Sequence, residues 1–206
     1  MKTSAHIKTI VALLLFITTN AIAQNTTLQN AFEQSYKHEK NAEYTKAIKT
    51  IKDQYQPNHY ETNLRLGYLH HISGLFTESL AYYQKAIGLM PYAIEPKMGY
   101  VLPAAALNQW DKVQTQYQNI LIIDPQNTLA HYRIGNMLYG KKEYQKAYKH
   151  FEKIVNLYPF DYDGLLMFAW ANFQIGKFNE AKILFNKVLL LSPNDQSATE
   201  GLTLIK

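Results

Sequence analysis

Apolar residues recur along the chain three and four positions apart, as in Leu184, Phe185, Val188 and Leu189, which is the buried stripe of an amphipathic helix. The pattern itself repeats. Prolines stand at Pro57, Pro91, Pro125, Pro159 and Pro193, each 34 residues after the last. A period this strict marks a repeated supersecondary unit. Nineteen residues after the first four prolines come Phe76, Trp110, Tyr144 and Phe178. Ser79, Val113, Ala147 and Ala181 follow three positions on, and Tyr83, Tyr117, Phe151 and Phe185 four beyond those. A small residue one turn before an aromatic ring predicts a closely packed second helix in every unit.

The first helix of each unit follows its proline. Gly67, Val101, Gly135 and Ala169 stand ten residues after successive prolines, where three of the four are small enough for helices to approach closely. Gly74 and Gly176 sit where that helix should stop, and Gly140 lies near the equivalent place, so a glycine is expected to supply a left-handed cap. Each unit therefore predicts helix, tight turn, helix, and the chain is expected to be all-α.

The small residue, the alanine, the aromatic and the closing proline resemble the tetratricopeptide repeat, most closely over Leu129 to Pro159, where Gly135, Tyr144, Ala147, Phe151 and Pro159 carry the match. The resemblance implies a right-handed solenoid with units at about 26–59, 60–93, 94–127, 128–161 and 162–195. A closing helix over 196–206 is expected to start after Asn194-Asp195 and cover the end of the stack. Tyr44, Ala47 and Ile51 imitate a second helix, but Tyr44 precedes Phe76 by 32 residues, so the first unit is expected to be slightly irregular.

The resemblance further implies that first helices line a concave groove, through positions 4, 7, 11 and 14 after each proline. These are Glu61, Leu64, Tyr68 and His71, then Glu95, Met98, Leu102 and Ala105, then Leu129, Tyr132, Asn136 and Tyr139, then Asp163, Leu166, Trp170 and Phe173. Tyr68, Met98, Tyr132, Asn136, Tyr139, Trp170 and Phe173 are the candidate partner-binding residues, a surface suited to a helix or extended segment with bulky side chains. Two readings of the rings stay open at this point, recognition of a partner or packing between neighbouring helices. Glu61, Glu95 and Asp163 have a second role available, since each lies in a first helical turn, where an acid interacts favourably with the helix dipole. One tetratricopeptide subclass grips a carboxylate tail with a lysine and an asparagine one turn apart. Here Asn136 has Tyr132 in the lysine's place, which argues against that specificity. Pro103 falls inside a predicted first helix, four residues after Gly99, and Gly99-Tyr100-Val101-Leu102-Pro103 is expected to kink.

The amino terminus changes where such a protein is expected to work. Lys2 and Lys8 flank a basic start, Ile10 to Ile17 is apolar, and Ala21-Ile22-Ala23 is a small-x-small site, the pattern of a secretory signal peptide over residues 1–23 with cleavage before Gln24. The protein is expected to be exported, to the periplasm or beyond, with no membrane insertion after cleavage. The formal charge of +5 falls to +3 once Lys2 and Lys8 are gone, and no clustered Lys/Arg run exists to track a phosphate backbone, so no nucleic-acid partner is expected. There is no cysteine, hence no disulfide, thiolate site or acylated cysteine. His70 and His71 are adjacent and point to different helix faces, no serine stands in a nucleophile elbow, and Asp161 and Asp163 occupy a helix start where capping is the expected role. No catalytic residue, metal or cofactor is assigned. The chain is expected to be a non-enzymatic scaffold for a protein or peptide partner, or alternatively a periplasmic chaperone or assembly factor for envelope proteins or polymer export. The oligomeric state does not follow from the sequence.

Overall fold

The computed structural model describes residues 26–205; the expected signal peptide, residues 1–23, lies outside them. The described residues are helical with no strand. α1 covers 26–40. It is followed by α2 (Tyr44–Lys52), α3 (Tyr60–Ile72), α4 (Phe76–Leu89), α5 (Glu95–Ala106), α6 (Trp110–Ile123), α7 (Thr128–Gly140), α8 (Tyr144–Leu157), α9 (Tyr162–Gln174), α10 (Phe178–Leu191) and α11 (Gln196–Leu204). The expected succession of helix-turn-helix repeats with a closing helix is what forms. Two compact units divide between Leu107 and Asn108, in the turn after α5.

In the amino-terminal unit α3 packs on α2, α4 and α5, and Ala47, Ile48, Ile51, Leu66 and Leu69 form a buried cluster. The irregularity expected there takes the form of a short α2, with nine residues where α4 has fourteen. In the carboxy-terminal unit α6 to α10 pack in sequence, and α11 lies on α10 and α9. There Leu165, Ala169, Ala181, Leu184, Phe185, Val188 and Ala198 form the core cluster.

The aromatic rings Tyr83, Phe151 and Phe185 of three second helices need small neighbours on first helices. Tyr83 packs against both Gly67 and Gly99, where an added Cβ would run into its ring, and at Gly135 an added Cβ would lie 2.6 Å from Phe151. Phe185 meets Gly201 of α11 in the same way, so α11 serves as one more first helix. Gly99, expected to give room for a kink at Pro103, also has a packing role. α5 continues through the buried Pro103, and what Gly99 accommodates is the Tyr83 ring.

Turns and caps keep the 34-residue register. Gly74 (φ 74°), Asn108 (57°), Lys142 (61°) and Gly176 (81°) are the left-handed residues that end the first helices, and Ala42 (58°) precedes Gly74 by the same 32 residues found in the first unit. Gly140 does not supply the cap expected of it: it closes α7, and Lys142 takes the left-handed conformation. Asn127, Asp161 and Asp195 accept the backbone N–H three residues ahead, at 3.0, 2.7 and 2.7 Å, capping α7, α9 and α11.

A further periodic contact ties three of the repeat loops to the helices that follow them. Six residues after their prolines, Asn63 donates to the Pro57 carbonyl at 3.0 Å, Lys97 to that of Pro91, and His131 Nε2 to that of Pro125 at 3.0 Å. All three side chains are buried, and the carbonyl bonds offset what burying a polar group would otherwise cost. In the last repeat the position is the apolar, fully buried Leu165.

Candidate functional site

All sixteen expected groove positions are exposed or half-buried, although several of their neighbours on the same helices, such as Leu66, Leu69 and Leu165, are wholly buried. What those positions build differs between the units.

In the amino-terminal unit, α1, α3 and α5 enclose a cleft of about 510 Å³. Leu64, Tyr68, Met98 and Leu102 provide its apolar lining, with Glu61 and Glu95 also lining it and the Tyr83 ring behind Gly99. Leu102 is 52% and Tyr68 39% exposed, so part of this apolar lining meets solvent. A second cleft of about 390 Å³ lies beyond Tyr36 and Tyr68, which line both, and reaches Tyr44 and Ile72. Sequence reasoning missed the α1 wall made by Phe32 and Tyr36. The signal was present: stepping back from Leu64 and Tyr68 by the irregular 32 residues lands on them.

Arg65 ties this wall together. Its guanidinium lies 4.0 Å over the Tyr36 ring, pairs with Glu39 at 2.6 Å, and donates to Ser35 Oγ at 3.1 and 3.2 Å. The Tyr68 hydroxyl donates to Glu39 at 2.9 Å, and that bond, followed by burial, holds its phenol above the ordinary tyrosine range. The Tyr60 hydroxyl donates to Glu95 at 3.3 Å, and its pKa is pushed up to about 12 by burial and then by that carboxylate. Both phenols remain neutral donors at physiological pH.

In the carboxy-terminal unit the rings at these positions are occupied with other rings, mostly those of the second helices. Trp170 lies edge-on to Phe173 and Phe185, with centroids 5.6 and 5.0 Å apart, and its Nε1–H donates to Ser197 Oγ of α11 at 2.9 Å. Phe173 meets Phe178 at 5.4 Å, Tyr139 meets Tyr144 at 5.0 Å, and Tyr132 meets Phe151 at 6.3 Å. Burial raises the Tyr139 phenol above its ordinary value. Asn136 is half-buried on the same helix as Tyr132 and Tyr139. Leu166, Trp170 and Phe173 pack against the core cluster around Phe185.

Several of the remaining polar groups have local partners, though among the described residues His71 Nδ1 and Gln116 Oε1 are buried without a hydrogen bond. His70 is buried, with Nδ1 2.7 Å from the Leu66 carbonyl and its ring on Tyr82, while His71 packs on Phe76. His131 and His150 share a hydrogen bond at 2.9 Å; burial, then His131, lowers the His150 pKa to about 4. Asp161 caps α9, as expected. Among the described residues no three His, Cys, Asp or Glu side chains converge to hold a metal ion, and no helix is long and apolar enough to cross a membrane.

Helix pairs with a 34-residue register, small residues against rings and a closing helix define a helical-repeat protein. Residues 60–91, 128–161 and 162–195 match models of the tetratricopeptide repeat, so the chain carries tetratricopeptide repeats in both units. The fold is similar to that of a tetratricopeptide repeat protein from Parabacteroides merdae, with a TM-score of 0.73 at 21% identity, over 87% of this chain and 72% of that one. It is also similar to MamA (TM-score 0.68, 20% identity, 80% and 91% covered) and to YrrB, described as a TPR protein with an unusual peptide-binding site (0.69, 13%, 90% and 97%). No curated protein sequence matches the chain.

Proposed function

We propose that this protein is a non-enzymatic interaction scaffold that holds a peptide or helical segment of a partner protein, with the α1–α3–α5 cleft as its principal contact surface. The observation that carries this reading is the apolar cleft itself, in which Leu64, Tyr68, Met98 and Leu102 keep surface open to solvent. An apolar segment seated there would bury that surface, and aromatic anchors in such a site dominate binding energy. YrrB offers a precedent for a peptide site on this fold. The basic and apolar residues before Ala21-Ile22-Ala23 support export, so the partner is sought in the periplasm or the secreted space.

The test is capture of partners from an envelope extract, with identification by mass spectrometry and titration of the captured protein. Tyr68→Ala combined with Leu102→Trp, which fills the cleft, is expected to weaken binding roughly tenfold or more while helicity is kept. Undiminished affinity in that variant would overturn the cleft as the contact surface. A chaperone acting on many clients would instead suppress aggregation of unrelated unfolded proteins. Amino-terminal sequencing of the cellular protein is expected to begin at Gln24, and a start at Met1 or Thr3 would rule out export by cleavage.

A further inference from the structure

The charge at the cleft indicates which segment fits it. Glu61 and Glu95 both line it, both are exposed, and among the described residues neither pairs with a lysine or arginine. Among the described residues the Glu61 carboxylate, with 63% of its side chain exposed, has the His59 ring as its ion-pair partner at 3.3 Å, and Glu95 accepts from the neutral Tyr60 hydroxyl. Arg65, the cation in the cleft lining, is 6% exposed and already satisfied by Glu39, Ser35 and the Tyr36 ring. An incoming anion would therefore find no free cation among the residues that line this cleft, and two carboxylates without a lysine or arginine partner. A chain whose formal charge is +5 thus carries a local surface of the opposite sign.

Resting on the cleft as the binding surface, we infer that its partner is a basic-apolar segment: a bulky side chain seated among Leu64, Met98 and Leu102, with a lysine or arginine beside it facing Glu61 and Glu95. Both acids lie in the first turns of α3 and α5 and interact favourably with the helix ends. That accounts for their tolerance by the fold and leaves their outward oxygens available. Opposite charge at the rim chiefly sets partner choice and the rate of encounter, while the apolar anchor sets lifetime.

The experiment pans phage-displayed random dodecapeptides on the immobilised full chain, then titrates the enriched peptides by fluorescence anisotropy. Enriched sequences are expected to carry Lys or Arg within a few positions of Phe, Leu, Ile, Met or Trp. Glu61→Lys with Glu95→Lys is expected to weaken them roughly tenfold. Both acids are exposed, and the neutral pair Glu61→Gln, Glu95→Gln serves if the reversed pair loses helicity. Peptides without basic enrichment, or indifferent to these changes, that are still lost on Leu102→Trp would overturn the charge assignment and keep the cleft. No enrichment over bare support, or binding that ignores Leu102→Trp, would overturn the cleft reading and this inference with it.

Discussion

One register of positions yields an open cleft in the amino-terminal unit and a closed aromatic ladder in the carboxy-terminal one. Leu102 and Trp170 occupy the same place in their repeats, as do Ala105 and Phe173. Trp170 finds Phe173, Phe185 and the Ser197 hydroxyl and is drawn into packing. Leu102 has an alanine in the place of Phe173 three residues on, and stays 52% exposed. The caps differ in parallel. α7, α9 and α11 begin with side-chain hydrogen bonds from Asn127, Asp161 and Asp195, whereas α3 and α5 begin with none. A groove position is therefore free to bind only where its neighbours leave it without a partner.

The largest expected contrast is in stability. Phe185→Ala removes a fully buried ring and should cost about 3–5 kcal/mol. Trp170→Ala should cost about 2 kcal/mol or more, because it leaves a gap against Phe185 and deprives Ser197 of its donor. Tyr68→Ala, at a half-open site, should cost under about 1.5 kcal/mol. Denaturant midpoints decide between them. If Tyr68→Ala proved as costly as Trp170→Ala, the division into an open and a closed surface would fail.

Close to these in size is overpacking between the helices of a repeat. Ala147 is fully buried one turn before Phe151, whose ring already presses on Gly135. Ala147→Leu should cost on the order of 1 to 3 kcal/mol. A midpoint equal to the parent's would contradict the packing register shared by both units.

The repeat was legible in the sequence because its signals are local: the proline spacing, the ring at Phe151 with a small residue before it, and the Asp195 cap need no knowledge of distant partners. For Trp170 the sequence left recognition and packing both open, because its hydrogen bond goes to Ser197, 27 residues away on the closing helix. The cleft wall was missed for a milder reason, since Phe32 and Tyr36 follow a 32-residue step with no proline to announce it. Gly99 was read from Pro103 nearby in sequence, when the side chain that requires it is Tyr83 on the preceding helix. The common role of Asn63, Lys97 and His131, each reaching a repeat proline's carbonyl, was not legible because three different side chains serve it.

A smaller effect should appear with pH. The folded protein holds the His150 pKa near 4, below the ordinary 6.5, through burial and then His131. The unfolded chain thus binds a proton first as pH falls. The contribution of His150 to stability is complete above about 6.5 and is lost progressively toward 4. Burial lowers His70 and His71 too, so both units should weaken in acid. His150→Leu should flatten the fall of the thermal midpoint between pH 6.5 and 4 without abolishing it, and an unchanged slope would remove His150 from this account.

The smallest expected effect probes the turns that the two units share. Lys142 occupies a left-handed turn position, φ 61°, where the matching residues Gly74 and Gly176 pay no steric penalty. Lys142→Gly should therefore stabilise the carboxy-terminal unit by about 1 kcal/mol, less the extra freedom glycine gives the unfolded chain. Ala42→Gly should do the same for the amino-terminal unit, at φ 58°. The reverse change, Gly74→Lys, should destabilise by a similar amount, and Lys142→Gln should be neutral because both side chains meet the same strain. Thermal melts of the four variants check the order. If Lys142→Gly lowered the midpoint while Gly74→Lys left it unchanged, unfolded-chain entropy would outweigh backbone strain here, and the turn residues would not be interchangeable between repeats.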